Sequence, residues 1–221
     1  MSATESLRFA VLGSDEVSAL LLRPPNARRL LVLAHGAGAG MAHPFLESLA
    51  AELATEGVAT FRYQFPYMER RSRRPDPPAL LTATVAAAVH AAAAAAPDLP
   101  IIAGGKSMGG RMTSQAAAEH LVDSVRALVF FGFPLHPPKQ PGTKRADHLS
   151  RVAQPMLFLQ GTRDEFAGLE LLRPICEGLG ARATLHVIEG ADHSFHVLKR
   201  SGRTDADVMR ELARTAAAFD A

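Results

Sequence analysis

The nine residues "GGKSMGGRM", 104–112, place one serine, Ser107, between two pairs of glycines. Glycine weakens the interior of helices and strands, so four of them in nine positions mark a backbone in tight turn or close contact. The run "PIIAGG" ahead of the serine reads as a short buried strand, and "MGGRMTSQAAAEHL" behind it reads as a helix. A strand that passes at once into a helix through small residues fits neither an all-helical nor an all-β chain. It predicts strand–helix units on a mostly parallel sheet.

The remaining sequence alternates in the same way. "LRFAVL" and "VSALLLR" flank the turn-like "GSDE" and predict an N-terminal hairpin. "RLLVLAH", 29–35, is the continuous apolar run expected of a strand covered on both faces. Pro44 suits the first turn of a helix that carries Leu46, Leu49 and Leu53 on one face and ends near Gly57. "VATFRY", "RALVFFG", "PMLFLQG" and "TLHVIEG" read as further strands. Residues 79–96 are alanine-rich, with Leu81, Val85 and Val89 at helical spacing. "GLELLRPICEGLG" predicts a helix kinked or broken at Pro174. A last helix starts near Thr204, where "TDAD" suggests a cap, and turns Val208, Leu212 and Phe219 inward. Residues 64–78 and 133–151 read as irregular, the latter because its prolines forbid a long helix. With no linker or internal repeat, residues 1–221 are expected to form one α/β domain with helices on both faces of the sheet.

Composition narrows the function classes. A 48% hydrophobic content with 21% charged residues indicates a soluble globular protein. A net charge of +2 falls short of what nucleic-acid binding asks for. No apolar run approaches the ~18 residues of a membrane span, and the N-terminus lacks the basic and apolar regions of a signal peptide. The expectation is a cytoplasmic protein whose partner is a small molecule, with neither nucleic acid nor membrane. The single cysteine, Cys176, allows no intrachain disulfide and is expected to fill a small place in the core.

Gly105-Lys106-Ser107-Met108-Gly109 fits G-x-S-x-G in the strand–turn–helix setting of a nucleophile elbow. A Gly-rich turn with a capping serine would give the same string, so the partners decide. A serine hydroxyl is a poor nucleophile without a base and a carboxylate to orient that base. These partners are expected in the order acid, then histidine. "LFLQGTRDEF" ends a strand and puts Asp164 in the following loop, with Glu165 beside it. "HVIEGADHSF" ends the next strand and puts His193 in its loop, with Asp192 adjacent and His196 ranked second as base. An oxyanion hole needs the amide of Met108 and one from an earlier loop. "HGAGAGM" supplies that loop, with Ala37 as donor and His35 as a residue that orients it. Met41, Phe65, Tyr67 and Phe133 are candidates for the acyl pocket, with core packing the alternative for the phenylalanines. Arg70, Arg71, Arg73 and Arg74 form the one basic cluster, either a solvated loop or a site, with Arg70 and Arg71 foremost, that steers an anionic ester.

The motifs "HGAGAGM", "FRYQFPYME", "GGKSMGGRM", "FGFPLHPP", "LQGTRDEF" and "GADHSF" resemble those of α/β-hydrolases in order along most of the chain. The resemblance is to the small lidless group related to dienelactone hydrolases and to testis-expressed and chromatin-complex hydrolase-like proteins. Dienelactone hydrolases proper carry a cysteine where this chain has Ser107. The resemblance implies a mostly parallel sheet with little or no cap, a Ser107–Asp164–His193 triad, and no metal or organic cofactor. The function expected is hydrolysis of a carboxylic ester or thioester through an acyl-enzyme. The alternative is a non-catalytic binding or scaffold protein on the same fold, and peptide hydrolysis is a weaker third.

Overall fold

The computed structural model describes residues 3–72 and 74–219. The N-terminal hairpin forms from β1 (Thr4–Phe9) and β2 (Val17–Leu22), paired antiparallel with Thr4 opposite Leu22. Six parallel strands follow: β3 (Arg29–Ala34), β4 (Val58–Tyr63), β5 (Ile101–Lys106), β6 (Leu128–Phe131), β7 (Met156–Gly161) and β8 (Ala183–Ile188). The spatial order is β1-β2-β4-β3-β5-β6-β7-β8, with β2 antiparallel to β4.

Side chains on a strand alternate between faces, and the central strands are apolar at every position because both faces are covered. Leu30 and Val32 point into one core layer and Leu31 and Leu33 into the other; Leu128 and Phe130 oppose Val129 and Phe131 in the same way. The first layer is closed by α3 (Pro78–Ala95), α4 (Met108–Ala118) and α5 (Leu169–Leu179). The second is closed by α1 (Pro44–Thr55) and α6 (Asp205–Ala218), through Leu46, Leu49, Leu53, Val208 and Leu212. Thr204 caps α6 reciprocally with Asp207. Cys176 is buried in the first layer, where desolvation, aided by Glu177, raises its thiol to about 11.

Four local readings need correction. Residues 64–78 are not all loop: a four-residue helix, α2 (Pro66–Glu69), turns Phe65 and Tyr67 into the core. Residues 133–151 end in a 3-10 helix, Lys144–Arg151, pinned to α4 by a 2.7 Å hydrogen bond between His148 and Ser114. The segment thus packs against the body of the domain. Helix α5 runs through Pro174 unbroken, because Leu172, Cys176 and Leu179 anchor its inner face despite the lost amide. Helix α3 has 18 residues at a mean hydropathy of 1.5, enough by length and composition to cross a membrane. Here it covers the sheet with Leu81, Val85, Ala88, Val89 and Ala92.

The glycines of the opening motif answer to distances. A Cβ on Gly105 would stand 2.6 Å from the Ala34 carbonyl oxygen and 2.8 Å from the Ala34 Cβ. A Cβ on Gly109 would stand 2.6 Å from the His35 oxygen. Strands β3 and β5 at Gly105, and helix α4 and β3 at Gly109, approach too closely for any side chain, and the nearest atoms are backbone oxygens that cannot rotate away. We expect Gly105→Ala to cost about 3 kcal/mol, the upper end of what overpacking costs, because the obstacles cannot move away. That lowers the melting temperature by roughly 10 °C in a domain of this size, measurable by calorimetry.

Candidate active site

Strands β5, β7 and β8 end on one edge of the sheet, and the turn after each carries one of the three residues Ser107, Asp164 and His193. Ser107 follows β5 with φ 51° and ψ −117°, a conformation that costs energy for any residue but glycine. It is held from both sides: its amide donates to Phe131 O at 3.1 Å, and its carbonyl accepts from Arg111 N at 3.1 Å. The turn therefore lifts the Oγ clear of the helix start. Asp164 follows β7 and is buried. Its Oδ1 accepts the amide of Phe166 at 2.9 Å, and its Oδ2 accepts Gln160 Nε2 at 2.6 Å. His193 follows β8 at the tip of a short loop. That loop is closed by an Ala191–Val197 bridge and by Asp192 Oδ1, which accepts the amides of Ser194 and His196.

These three side chains meet. His193 Nδ1 lies 2.7 Å from Asp164 Oδ2, and His193 Nε2 lies 2.9 Å from Ser107 Oγ. The carboxylate can only accept, so Nδ1 carries the ring hydrogen and Nε2 is left to accept the serine hydroxyl. The Phe166 ring packs over the imidazole at 4.3 Å between centroids. His196 points elsewhere, to Asp205 at 2.7 Å, and that bond raises it above the ordinary imidazole range. Glu165 is exposed.

Two backbone amides near Ser107 are without a backbone acceptor. Met108 is the first residue of α4, so its N–H has no acceptor within the helix. Ala37 N–H has no acceptor among the described residues. His35 fixes the direction of the Ala37 amide. Its Nε2 accepts Phe65 N–H at 3.2 Å, so its Nδ1 carries hydrogen and donates to Gly36 O at 2.7 Å. A trans peptide points its C=O and N–H in opposite directions, so drawing the Gly36 carbonyl toward His35 turns the Ala37 N–H away from it. The loop is tied further by Gly38 N to Tyr67 Oη at 2.9 Å, Met41 N to Gln64 Oε1 at 2.9 Å, and Arg62 to Met41 O at 3.2 Å.

Burial holds His35 neutral, lowering it to about 4 against the Gly36 bond. His148 is lowered to about 4 as well, by burial and then by Arg111 and Arg151. The unfolded chain binds protons at these histidines near 6.5, so between about 6.5 and 4 it holds more protons than the fold. Stability is expected to be complete above that window and to fall with pH through it. Urea midpoints measured from pH 7.5 to 4.5 check this.

A cavity of about 350 Å³ opens beside Ser107, lined by Gly36, Ala37, Ala39, His43, Phe45, Leu46, Lys106, Phe166, His193 and Ser194. A larger hollow of about 640 Å³ near Pro24, Pro25 and Arg62 contains no serine–histidine pair. The sequence-based pocket residues lie elsewhere. Phe65, Tyr67 and Phe133 are fully buried, Phe133 packing edge-on against Phe130 and Phe158. Met41 is partly buried behind the loop and does not line the cavity. Arg70 pairs with Asp76, which also accepts Tyr67 N–H. Arg71 and Arg74 are exposed and line no part of the cavity, and Arg73 lies outside the described residues. Lys106, Phe45, Phe166 and Gln160 were missed. The only signals were the charge placed inside the elbow, an aromatic at the start of a helix, one two residues past Asp164, and a glutamine ending an apolar strand.

Known structures share the whole fold. A dienelactone hydrolase from Anabaena variabilis is 21% identical with a TM-score of 0.76, covering 98% of this chain and 95% of its own. An α/β serine hydrolase homologue from Coxiella burnetii is 20% identical with a TM-score of 0.77, covering 97% and 98%. An α/β serine hydrolase without a lid from Xanthomonas campestris is 17% identical with a TM-score of 0.73, covering 100% and 98%. The family model described as "Alpha/beta hydrolase domain" matches residues 27–221. With that match, and with an elbow serine hydrogen-bonded to a histidine at the carboxyl edge of a mostly parallel sheet, the chain belongs to the α/β-hydrolase family.

Proposed function

We propose that this protein is a serine hydrolase of carboxylic esters or thioesters. The observation that carries the reading is the unbroken chain Asp164–His193–Ser107, with hydrogen bonds of 2.7 and 2.9 Å, next to the unengaged amides of Ala37 and Met108. Ser107 Oγ attacks the acyl carbon while its proton passes to His193 Nε2. The carbonyl oxygen gains the negative charge and receives hydrogen bonds from Ala37 and Met108, at the positive end of α4. Asp164 keeps the imidazolium oriented and balances its charge. The intermediate collapses, the leaving alcohol or thiol takes the proton from Nε2, and acyl-Ser107 remains. Water then attacks the acyl carbon, giving its proton to Nε2, and Ser107 leaves with that proton as the acid departs.

Phe45, Leu46, Phe166 and Ala39 make the cavity wall mainly apolar, and its volume suits a short acyl chain. A fluorophosphonate is expected to label the protein at Ser107, identified by peptide mass. Across p-nitrophenyl esters and CoA thioesters of graded length, kcat/KM should rise while each added methylene is buried, about 0.8 kcal/mol apiece, then peak at short chains and fall by a twelve-carbon acyl group that outgrows the cavity. Failure of the serine to react with the probe would refute the reading.

A further inference from the structure

Lys106, directly before Ser107, is the cation built into the elbow. Its stem passes Gly36 and lines the cavity beside Ser107. Its ammonium lies 5.9 Å from the centroid of Phe45 and 5.5 Å from that of Phe195, two rings stacked on each other. Nζ is shut off from solvent and has no hydrogen-bond partner among the described residues. Cation–π contact recovers part of the cost of such burial but does not replace a counter-ion. A methionine would fill the same space without that cost.

The location of the charge points to its role. A Cβ built on Gly132, after β6, would stand 3.1 Å from Lys106 Nζ, 3.4 Å from Asp164 Oδ2 and 3.4 Å from His193 Nδ1. Only the absent side chain of Gly132 thus separates the ammonium from the Asp164–His193 hydrogen bond. The charged and titratable groups around it are Asp164 from the turn after β7, and Asp192 and His193 from the turn after β8. From α1 come the Phe45 ring and, at its N-cap, His43 on the cavity wall. Both carboxylates oppose the desolvation that lowers Lys106 to about 8, so the ammonium stays charged at neutral pH.

We propose that Lys106 is a positioning residue: its buried positive charge, across the Gly132 gap from Asp164 and His193, favours the carboxylate and the neutral imidazole and keeps Nε2 ready to accept the Ser107 proton under mildly acid conditions. The proposal rests on the serine-hydrolase reading above. A positive charge beside an imidazole disfavours protonation of the ring, so removing it should allow protonation at higher pH.

The test is the rate of fluorophosphonate labelling against pH for the wild type, Lys106→Met and Lys106→Arg. In Lys106→Met the acid limb is expected to move up by about half to one pH unit, the order of effect of one charge several ångströms away in a protein interior. Lys106→Arg should keep the wild-type limb. Coincident limbs for wild type and Met overturn the proposal, and so does an Arg variant that shifts as Met does, since that marks packing rather than charge. Assayed at a pH on the acid limb, a neutral ester and a hemisuccinate ester should lose rate equally in Lys106→Met; loss confined to the hemisuccinate would make Lys106 a substrate-binding group and overturn it too. If Lys106→Met does not fold, the wild type decides. Its His193 ring resonance, assigned by its loss in His193→Ala, should respond again where Lys106 loses its proton, and a curve with no second inflection up to the ordinary lysine range overturns the proposal. An unlabelled wild type would sink both readings, whereas a labelled Ser107 indifferent to Lys106 would sink this one alone.

Discussion

Replacing Ser107 with alanine is expected to lower ester turnover by about 10⁴- to 10⁶-fold and to abolish fluorophosphonate labelling. In the proposed mechanism the lost oxygen is the one that attacks, and among the described residues no other hydroxyl is hydrogen-bonded to His193. His193→Ala should fall almost as far, because serine and base act as a unit, and the double variant should be little worse than either single one. The fold should be unaffected. Ser107 is held by its backbone amide and carbonyl, bonds that alanine keeps. Its positive φ persists with a Cβ in either residue, so the strain is unchanged. Circular dichroism and the melting temperature should match the wild type while kcat collapses. A residual rate more than about a tenth of wild type would place the chemistry on another residue, since removing a nucleophile costs orders of magnitude more.

Asp164→Asn is expected to lower kcat by about 10⁴-fold while leaving the shape intact. The position of Oδ1 must still accept the Phe166 amide, so the amide nitrogen of the asparagine takes the place of Oδ2. It then presents hydrogens where the carboxylate accepted them, toward His193 Nδ1 and Gln160 Nε2. His193 responds by moving its hydrogen to Nε2, which faces Ser107 as a donor and can no longer take the serine proton. Gln160 cannot flip freely to accommodate the change, because its Oε1 already accepts Phe133 N–H at 3.0 Å. The measurement is kcat for a fast p-nitrophenyl ester together with the crystal structure of the variant. Unchanged kcat would mean that the carboxylate has no part in orienting the base.

The strands of the sheet were legible because each is a short apolar run bounded by turn residues, and the strand-end positions of Ser107, Asp164 and His193 follow from those runs. Their hydrogen bonds are long-range and could be read only from coordinates. Strand order was not legible either: β4 lies outside β3, between it and the hairpin, and no local signal carries that crossover. Tyr67 was misplaced because it stands in a polar stretch, and a single turn of helix was enough to direct it into the core, where Phe65 takes the core-packing alternative left open for it. Lys106 was passed over for the opposite reason. A charged residue between glycines reads as solvated, and only the sharp turn at Ser107, with the two rings over Nζ, makes it a buried one. The real rim residues Phe45 and Phe166 sit beside recognised features, but periodicity tells which residues face a core and not which face a cavity.

The segment after β6 folds back onto α4 through His148 and Ser114 and does not reach across Ser107. If the proposed esterase reading holds, the enzyme has nothing among the described residues that stands over Ser107 as a lid for an oil–water surface to open. Its rate should therefore follow the concentration of dissolved substrate monomers along an ordinary saturation curve. It should show no jump at the concentration where a short-chain triglyceride begins to form droplets.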